Sequence, residues 1–298
     1  MGSGALKLKT TRKKNIKLNK KSPKKVKQKS VAPSIVMKSA KADKIVQPNE
    51  STKQTPARIF IIGESPMVEQ YAELCVAHGY EVYVSWNEMP AQKPEFKSDG
   101  IKITNTIPSN TSLVIELTNI DPLAKKKNIE RFDKALAATA PILSSSITVT
   151  ATEQSSWISG KHRLVGIAAL PTLIQKPLVE VAPTIYSPKE TLEVTKRFFQ
   201  SIGREIEIVQ DRIGMVLPRM LCCMINEATF AITENIAKPQ DIDTALKLGV
   251  NFPFGPFEWA EQMGWKQVFA VLTALHTDLQ EERYRVTPLL KQMAITRE

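Results

Sequence analysis

Cysteine, histidine and long apolar runs are all scarce in this chain of 298 residues. Three cysteines are too few for a disulfide framework, and two of them, Cys222 and Cys223, are adjacent. This usage favours a reducing, cytoplasmic compartment. Because no run of 18 or more apolar residues occurs, we expect no transmembrane helix. Hydrophobic residues still make up 42% of the chain, and the length is sufficient for about two domains.

Positive charge is concentrated in the first 56 residues, which hold 16 lysines and arginines against two acidic residues. The remaining residues hold 25 basic and 28 acidic side chains and are mildly acidic. Without aromatic residues or an apolar period, residues 1–56 predict a disordered Lys-rich tail. Such a tail is either a solubilising extension or an arm that contacts nucleic acid or an anionic surface. A targeting peptide is disfavoured, because those peptides favour arginine and an amphipathic helix.

Strand and helix patterns alternate over residues 57–212. The stretch "ARIFIIGESPMVEQYAELCVAHGYEVYVSW" predicts a strand, a helix and a second strand. "SLVIEL" and "HRLVGIAAL" predict further strands, and Asp121 followed by Pro122 predicts the start of a helix. After residue 212, "MLCCMINEATFAITENIA", "PQDIDTALKLG" and "WKQVFAVLTALHTDL" predict helices, and "FPFGPFEW" predicts a rigid turn. We expect an α/β domain with a doubly wound, mostly parallel sheet over residues 57–212 and an all-α domain over residues 213–298.

The turn after the first strand is where a dinucleotide-binding fold carries the motif G-x-G-x-x-G. Gly63 takes the first glycine position, but Ser65 and Val68 replace the second and third. Ser85 stands at the end of the second strand, where an acidic residue would bind a ribose hydroxyl. The pattern predicts a degenerate Rossmann-like domain that binds a dinucleotide weakly or not at all. The candidate cofactor-binding residues are Gly63, Ser65 and Asp121.

Three longer stretches resemble the 3-hydroxyacyl-CoA dehydrogenases: "PLVEV", "DRIGMVLPRMLCCMINEA" and "DIDTALKLGVNFPFGPFEWAEQMG". The resemblance extends over roughly residues 57–298 and is most specific in the last ninety. It implies NAD as cofactor, a 3-hydroxyacyl-CoA as substrate and a homodimer formed through the C-terminal domain. It also implies the oxidation of that substrate to the 3-ketoacyl-CoA, a reaction of fatty-acid metabolism. No metal ion is expected.

The resemblance also identifies the catalytic positions. Glu180 matches the glutamate that orients the family's catalytic histidine, and Ser145 matches its substrate-positioning serine. Ala168 stands at the histidine position and Pro218 at the position of the substrate-binding asparagine. Since proline is tolerated only in the first turn of a helix, we predict that this helix begins between Ile213 and Leu217.

These replacements lead us to expect a catalytically impaired homologue. None of the three histidines, His78, His162 and His276, is predicted to lie where it would replace the missing base. Two alternatives remain open. One is an active oxidoreductase in which Glu180 serves as base and a hydroxyl group of residues 144–148 holds the substrate. The other is a dimeric scaffold that its basic tail tethers to a polyanion.

Overall fold

The structure is a computed structural model that describes residues 57–90 and 94–297. The predictions for residues 1–56, including the contact with a polyanion, lie outside the described residues. No helix in the described part of the chain is both long enough and apolar enough to cross a membrane.

The predicted strand–helix–strand opening is confirmed. Strand β1 (Arg58–Gly63) leads into helix α1 (Met67–Ala77) and strand β2 (Glu81–Trp86). A short strand that the sequence did not predict, β3 (Ile101–Ile103), pairs with β2 in parallel. The next elements are β4 (Thr111–Leu117), α2 (Pro122–Ala135), β5 (Ile142–Ser145), α3 (Ala151–Ser155) and β6 (Leu164–Ile167).

The sheet region ends with β7 (Leu178–Pro183), α4 (Lys189–Ser201) and β8 (Glu205–Ile208). The described strands form one sheet in the order β3-β2-β1-β4-β5-β6-β7-β8. Strand β7 pairs with β6 antiparallel, whereas the other pairings are parallel, so the predicted mostly parallel sheet is confirmed. The reversal at β7 has a simple cause: the ten residues between β6 and β7 are too few for a parallel crossover connection.

Alternation along β1 explains why helices cover both faces of the sheet. Ile59 and Ile61 are buried in one apolar cluster, while Phe60 and Ile62 are buried in another. Successive side chains of a strand point to opposite faces, so both faces of β1 are covered. This arrangement is the one expected of a doubly wound sheet.

The C-terminal part of the described chain is helical, as predicted. It contains α5 (Leu217–Thr233), α6 (Pro239–Val250), α7 (Pro256–Met263), α8 (Trp265–Leu279) and α9 (Pro288–Thr296). Helix α5 begins at Leu217, at the limit of the predicted range, so Pro218 lies in its first turn. The stretch predicted as a rigid turn contains the start of α7 at Pro256, because proline is also well suited to the first position of a helix.

One apolar core joins the edge of the sheet region to these helices. Ala168 and Leu170, which follow β6, belong to the same buried cluster as Ile225 of α5 and Val268 of α8. The boundary predicted at residue 212 remains a prediction, because the core is continuous there.

Candidate functional site

A cleft lies at the carboxyl ends of the parallel strands, where the strand order reverses between β1 and β4. Ligands of open α/β sheets bind at this position. The cleft has a volume of about 670 Å³ and is bounded by the turn after β1, the segment after β2 and the α7–α8 corner. We call it the switch-point cleft.

Gly63 fulfils the first glycine role of the phosphate motif. A Cβ atom at this position would lie 2.5 Å from the carbonyl carbon and oxygen of Leu117, at the end of β4. No side chain fits in that space, so the close approach of β1 to β4 requires glycine. Strand packing alone therefore explains why this residue is glycine, without a bound cofactor.

Glu64, the next residue, extends its carboxylate across the end of the sheet. Its Oε1 accepts hydrogen bonds from the backbone amides of Asn119 (3.1 Å) and Ile120 (2.8 Å). Its Oε2 accepts one from Nε2 of Gln267 in α8 (2.6 Å). Sequence reasoning missed this residue, although an acidic side chain inside a phosphate-binding turn is a signal that could have identified it.

The rest of the turn also departs from a phosphate cradle. The amide of Glu64 is bonded to the carbonyl of Leu117 (3.2 Å), and Pro66, at the N-cap of α1, has no amide hydrogen to donate. Ser65 is exposed at the cleft. Val68, at the third glycine position, is fully buried in the core.

The end of β2 provides no acidic residue for a ribose. Ser85 is buried and its Oγ donates to Oδ1 of Asn105 (3.2 Å). The indole nitrogen of Trp86 donates to Glu69 (3.0 Å). Glu88, two residues further along, is exposed in the switch-point cleft.

Asp121, the third candidate for cofactor binding, caps α2. Its Oδ1 accepts from the amides of Leu123 (2.8 Å) and Ala124 (3.1 Å), as its position before Pro122 predicts. The residue lines the cleft, but its carboxylate is bonded to the first backbone amides of α2 and adds negative charge to the site.

These features decide whether a nicotinamide dinucleotide fits. Its pyrophosphate needs free amides and a neutral or positive turn. Carboxylates line the cleft at Glu64, Glu88, Asp121 and Glu261, and its cations are Lys266 and Arg297, of which Arg297 forms an ion pair with Glu261. The turn after β1, with its bonded amide, its proline and the Glu64 carboxylate, therefore does not suit the pyrophosphate of NAD.

Ser145, the predicted substrate-positioning residue, lies inside the protein. It is fully buried, and its Oγ donates to Oδ1 of Asn119 (2.6 Å). The side-chain nitrogen Nδ2 of Asn119 in turn donates to the carbonyl oxygen of Ala169 (2.9 Å) and to Oε1 of Gln267 (2.8 Å). Ser145 thus supports the loop after β4 and does not face a substrate.

The neighbouring serine belongs to a buried ionic cluster. Lys125 of α2 forms an ion pair with Glu116 of β4, and both side chains are excluded from solvent. The Oγ of Ser144 donates to Glu116 (3.1 Å), and Asn128 donates to the other carboxylate oxygen (3.3 Å). A buried charge pair with these additional donors is a structural element that holds α2 against the sheet.

Ala168, which follows β6, lies beside Glu180 of the antiparallel strand β7. The amide of Ala168 donates to the carbonyl of Glu180 (3.0 Å), and the Ala168 methyl group is buried in the apolar core. The Glu180 carboxylate turns towards α5. Its two oxygens accept from the amides of Val216 (2.8 Å) and Leu217 (2.7 Å).

The backbone amides at the start of α5 are therefore all engaged in hydrogen bonds, apart from the proline, which has no amide hydrogen. Val216 and Leu217 are bonded to Glu180, Pro218 has no amide hydrogen, and the amide of Arg219 donates to Gly214 (3.0 Å). A helix leaves its first amides without intrahelical partners, and here each of these positions is accounted for. Glu180 acts as a cap supplied from a distant strand.

The histidines lie away from Glu180. His78 follows α1 and contacts the carbonyl of Leu74 (2.8 Å), and His162 precedes β6 at the end opposite to Ala168. His276 is in the last turn of α8. In the described residues, no group of three or more potential ligands is arranged to hold a metal ion.

An apolar groove lies on the other side of the Asn119 loop and has a volume of about 750 Å³. We call it the α8 groove. Its lining combines apolar side chains with three threonines, Thr148, Thr273 and Thr277, and with three charged residues, Glu153, Lys266 and Asp278. The apolar side chains are those of Ile120, Pro122, Val149, Ile213, Phe269, Ala270, Ala274, Ala294 and Ile295. The Oγ1 of Thr148 is buried there and has no hydrogen-bond partner.

The described residues form a Rossmann-like sheet that continues into a group of helices. Residues 214–298 match the model of the 3-hydroxyacyl-CoA dehydrogenase C-terminal domain. The resemblance to the 3-hydroxyacyl-CoA dehydrogenases seen in the sequence is thereby confirmed, and that family is NAD-dependent.

Two relatives agree with this resemblance. The chain is similar to 3-hydroxyadipyl-CoA dehydrogenase of Escherichia coli, with 36% identity over 118 residues, 40% of this chain and 25% of that protein. It is 28% identical over 182 residues to 3-hydroxybutyryl-CoA dehydrogenase of Bradyrhizobium diazoefficiens, which is 61% of this chain and 62% of the relative. The chain thus spans less than two thirds of either relative.

The fold is similar to that of the solved (S)-3-hydroxybutyryl-CoA dehydrogenase from Ralstonia eutropha. The TM-score is 0.67 at 23% identity, with 81% of this chain and 94% of the other covered.

Proposed function

We propose that this chain is a catalytically impaired member of the family that binds an acyl-CoA but does not oxidise it with NAD. The state of Glu180 carries this proposal. Both of its carboxylate oxygens are engaged by backbone amides of Val216 and Leu217, and a buried methyl group, that of Ala168, takes the place of the histidine. A general base must be free to accept a proton from the substrate.

The rearranged oxidoreductase receives no support from the serines. Ser144 and Ser145 are fully buried, and their hydroxyl groups donate to Glu116 and Asn119. A hydroxyl group in that state does not reach a substrate oxygen. Among residues 144–148, Thr148 has a hydroxyl group without a partner, but no titratable group is bonded to it.

Acyl binding is supported by the α8 groove. Small-molecule sites are typically concave, mostly apolar and about 300–1,000 Å³ in volume, with a few polar groups for orientation. The groove has a volume in that range, and apolar side chains make up most of its lining.

Titration calorimetry with acetoacetyl-CoA, together with an assay of NADH consumption, tests both halves of the proposal. We expect binding without turnover. The variant Thr273→Trp, at an exposed position lining the groove, should weaken binding at least about tenfold by filling the space. The matched control is Thr244→Trp, at an exposed threonine of α6 outside the groove.

The proposed loss of turnover and the proposed binding of acyl-CoA can be contradicted separately. Turnover by the native chain at ordinary enzyme rates, about 1–10³ s⁻¹, would contradict impairment. Absence of acetoacetyl-CoA binding, or equal loss in Thr273→Trp and Thr244→Trp, would contradict the groove assignment. The double variant Ala168→His with Pro218→Asn should remain inactive, because its cleft still does not suit NAD.

A homodimer through the C-terminal helices is the second part of this proposal. Three apolar side chains at the end of α6 and just beyond it are exposed: Leu248 (82%), Val250 (57%) and Phe252 (43%). Met220 of α5 is also 64% exposed. Exposed apolar groups of this kind are typical of interaction surfaces. Sedimentation should give a dimer that Leu248→Lys weakens, and a native monomer at micromolar concentration would refute it.

A further inference from the structure

We propose that the Glu64 carboxylate is a resident anion that occupies the phosphate position of the switch-point cleft. It replaces the pyrophosphate of a dinucleotide and excludes NAD from the cleft. This inference goes beyond the missing catalytic groups, since a family member that has lost only its base would still bind its cofactor.

The position of Glu64 supports the first half of the inference. The residue lies in the turn between β1 and α1, at the point where a dinucleotide crosses the sheet. Its side chain reaches the amides of Asn119 and Ile120, which follow β4 on the opposite side of the crevice. The carboxylate therefore spans the same gap that a bound pyrophosphate would span.

The donors around Glu64 are those that an anion requires. Two backbone amides and the side-chain amide of Gln267 point at it, with distances of 2.6–3.1 Å. Burial raises the pKa of Glu64, and the bonds from Ile120, Gln267 and Asn119 oppose that change. Three N–H donors and no acceptor form a site for a negative charge.

Gln267 also connects the Glu64 carboxylate to helix α8. Its Nε2 donates to Glu64 and its Oε1 accepts from Asn119, and the side chain is 4% exposed. Helix α8 is thereby bonded to the turn after β1 and to the loop after β4 simultaneously. A dinucleotide entering the cleft would have to break these contacts as well as approach a carboxylate.

The experiment compares the native chain with Glu64→Ala. Removal of the carboxylate leaves the amides of Asn119 and Ile120 without a partner, so the melting temperature should fall by about 4–8 °C. Inorganic pyrophosphate should refill the vacated place and restore at least half of that loss. Sodium chloride at the same ionic strength should not. The native chain should show neither recovery nor binding of NADH by fluorescence titration.

Glu88→Ala is the matched control, because Glu88 is a carboxylate of the same cleft that makes no hydrogen bond or ion pair with a described residue. It should keep the native melting temperature and gain nothing from pyrophosphate.

Two results would overturn the inference: NADH binding by the native chain with a dissociation constant below about 100 μM, or no pyrophosphate-specific recovery in Glu64→Ala. Because the NADH titration uses the native chain, it decides even where Glu64→Ala fails to fold. NADH binding without turnover would refute the resident anion but leave the proposed loss of catalysis standing.

Discussion

Replacing Glu180 with glutamine should lower the stability of the native chain through the loss of a helix cap. Glutamine keeps one acceptor oxygen but presents an NH₂ group to the second of the two amides, those of Val216 and Leu217. A hydrogen bond to a charged group contributes about 1.5–3 kcal/mol, and a negative charge at a helix N-terminus about 0.3–1 kcal/mol. Because the site is partly exposed, solvent screening reduces the sum to about 2 kcal/mol.

Thermal unfolding followed by circular dichroism measures this loss. For a chain of this size, 1 kcal/mol corresponds to about 2–4 °C, so Glu180→Gln should melt about 4–8 °C below the native chain. Glu207→Gln provides the control: Glu207 is exposed and lies opposite Glu180 in the pairing of β7 with β8. A surface change of that kind should stay within about 0.5 kcal/mol. Equal melting temperatures for the two variants would refute the capping role and reopen Glu180 as a free base.

Two further changes test the polar framework of the sheet. Lys125→Met should lower the free energy of unfolding, measured in urea, by about 3–5 kcal/mol, because it leaves Glu116 buried without its cation. Adding Glu116→Leu to this variant should restore part of that free energy. An additive double variant would contradict this coupling. Hydrogen bonds from Lys102 and Arg58 lower the pKa of Glu81 from 4.5 to about 2. Its stabilisation is therefore complete above pH 4.5 and lost as the pH falls towards 2, and Glu81→Gln should flatten the acid limb of the stability profile.

Local patterns in the sequence were sufficient for most of the fold. The strand β1 was predicted from a short apolar run, and α2 from the Asp121–Pro122 start, and both were found. The start of α5 followed from the rule that proline belongs in the first turn of a helix. Strand β3 was missed, since three residues at the edge of a sheet carry almost no apolar period.

The direction of β7 shows the limit of that reasoning. Leu178–Pro183 has the pattern of a buried strand whichever way it runs. Its antiparallel pairing follows from the short connection after β6, which must reverse direction within ten residues.

The residues of the candidate site also fall into two groups: those that the sequence identifies and those whose role only the folded structure shows. The replacements at Ala168 and Pro218 are visible in the sequence as soon as the resemblance is recognised. The role of Glu64 was not, because its donors come from residues 119, 120 and 267, more than fifty positions away. Ser145 was assigned to the site because of its position, and only the packing of the Asn119 loop over it shows that it is buried.

The sequence by itself determined the alternation of strands and helices and the resemblance to the 3-hydroxyacyl-CoA dehydrogenases, with Ala168 and Pro218 at two of the predicted catalytic positions. These properties depend on residue type and on spacing along the chain. Only the tertiary structure decided what the remaining carboxylates bind. A carboxylate's partner is the donor that folding brings within about 3 Å, and folding gives Glu180 the start of α5 and Glu64 the far side of the switch-point cleft.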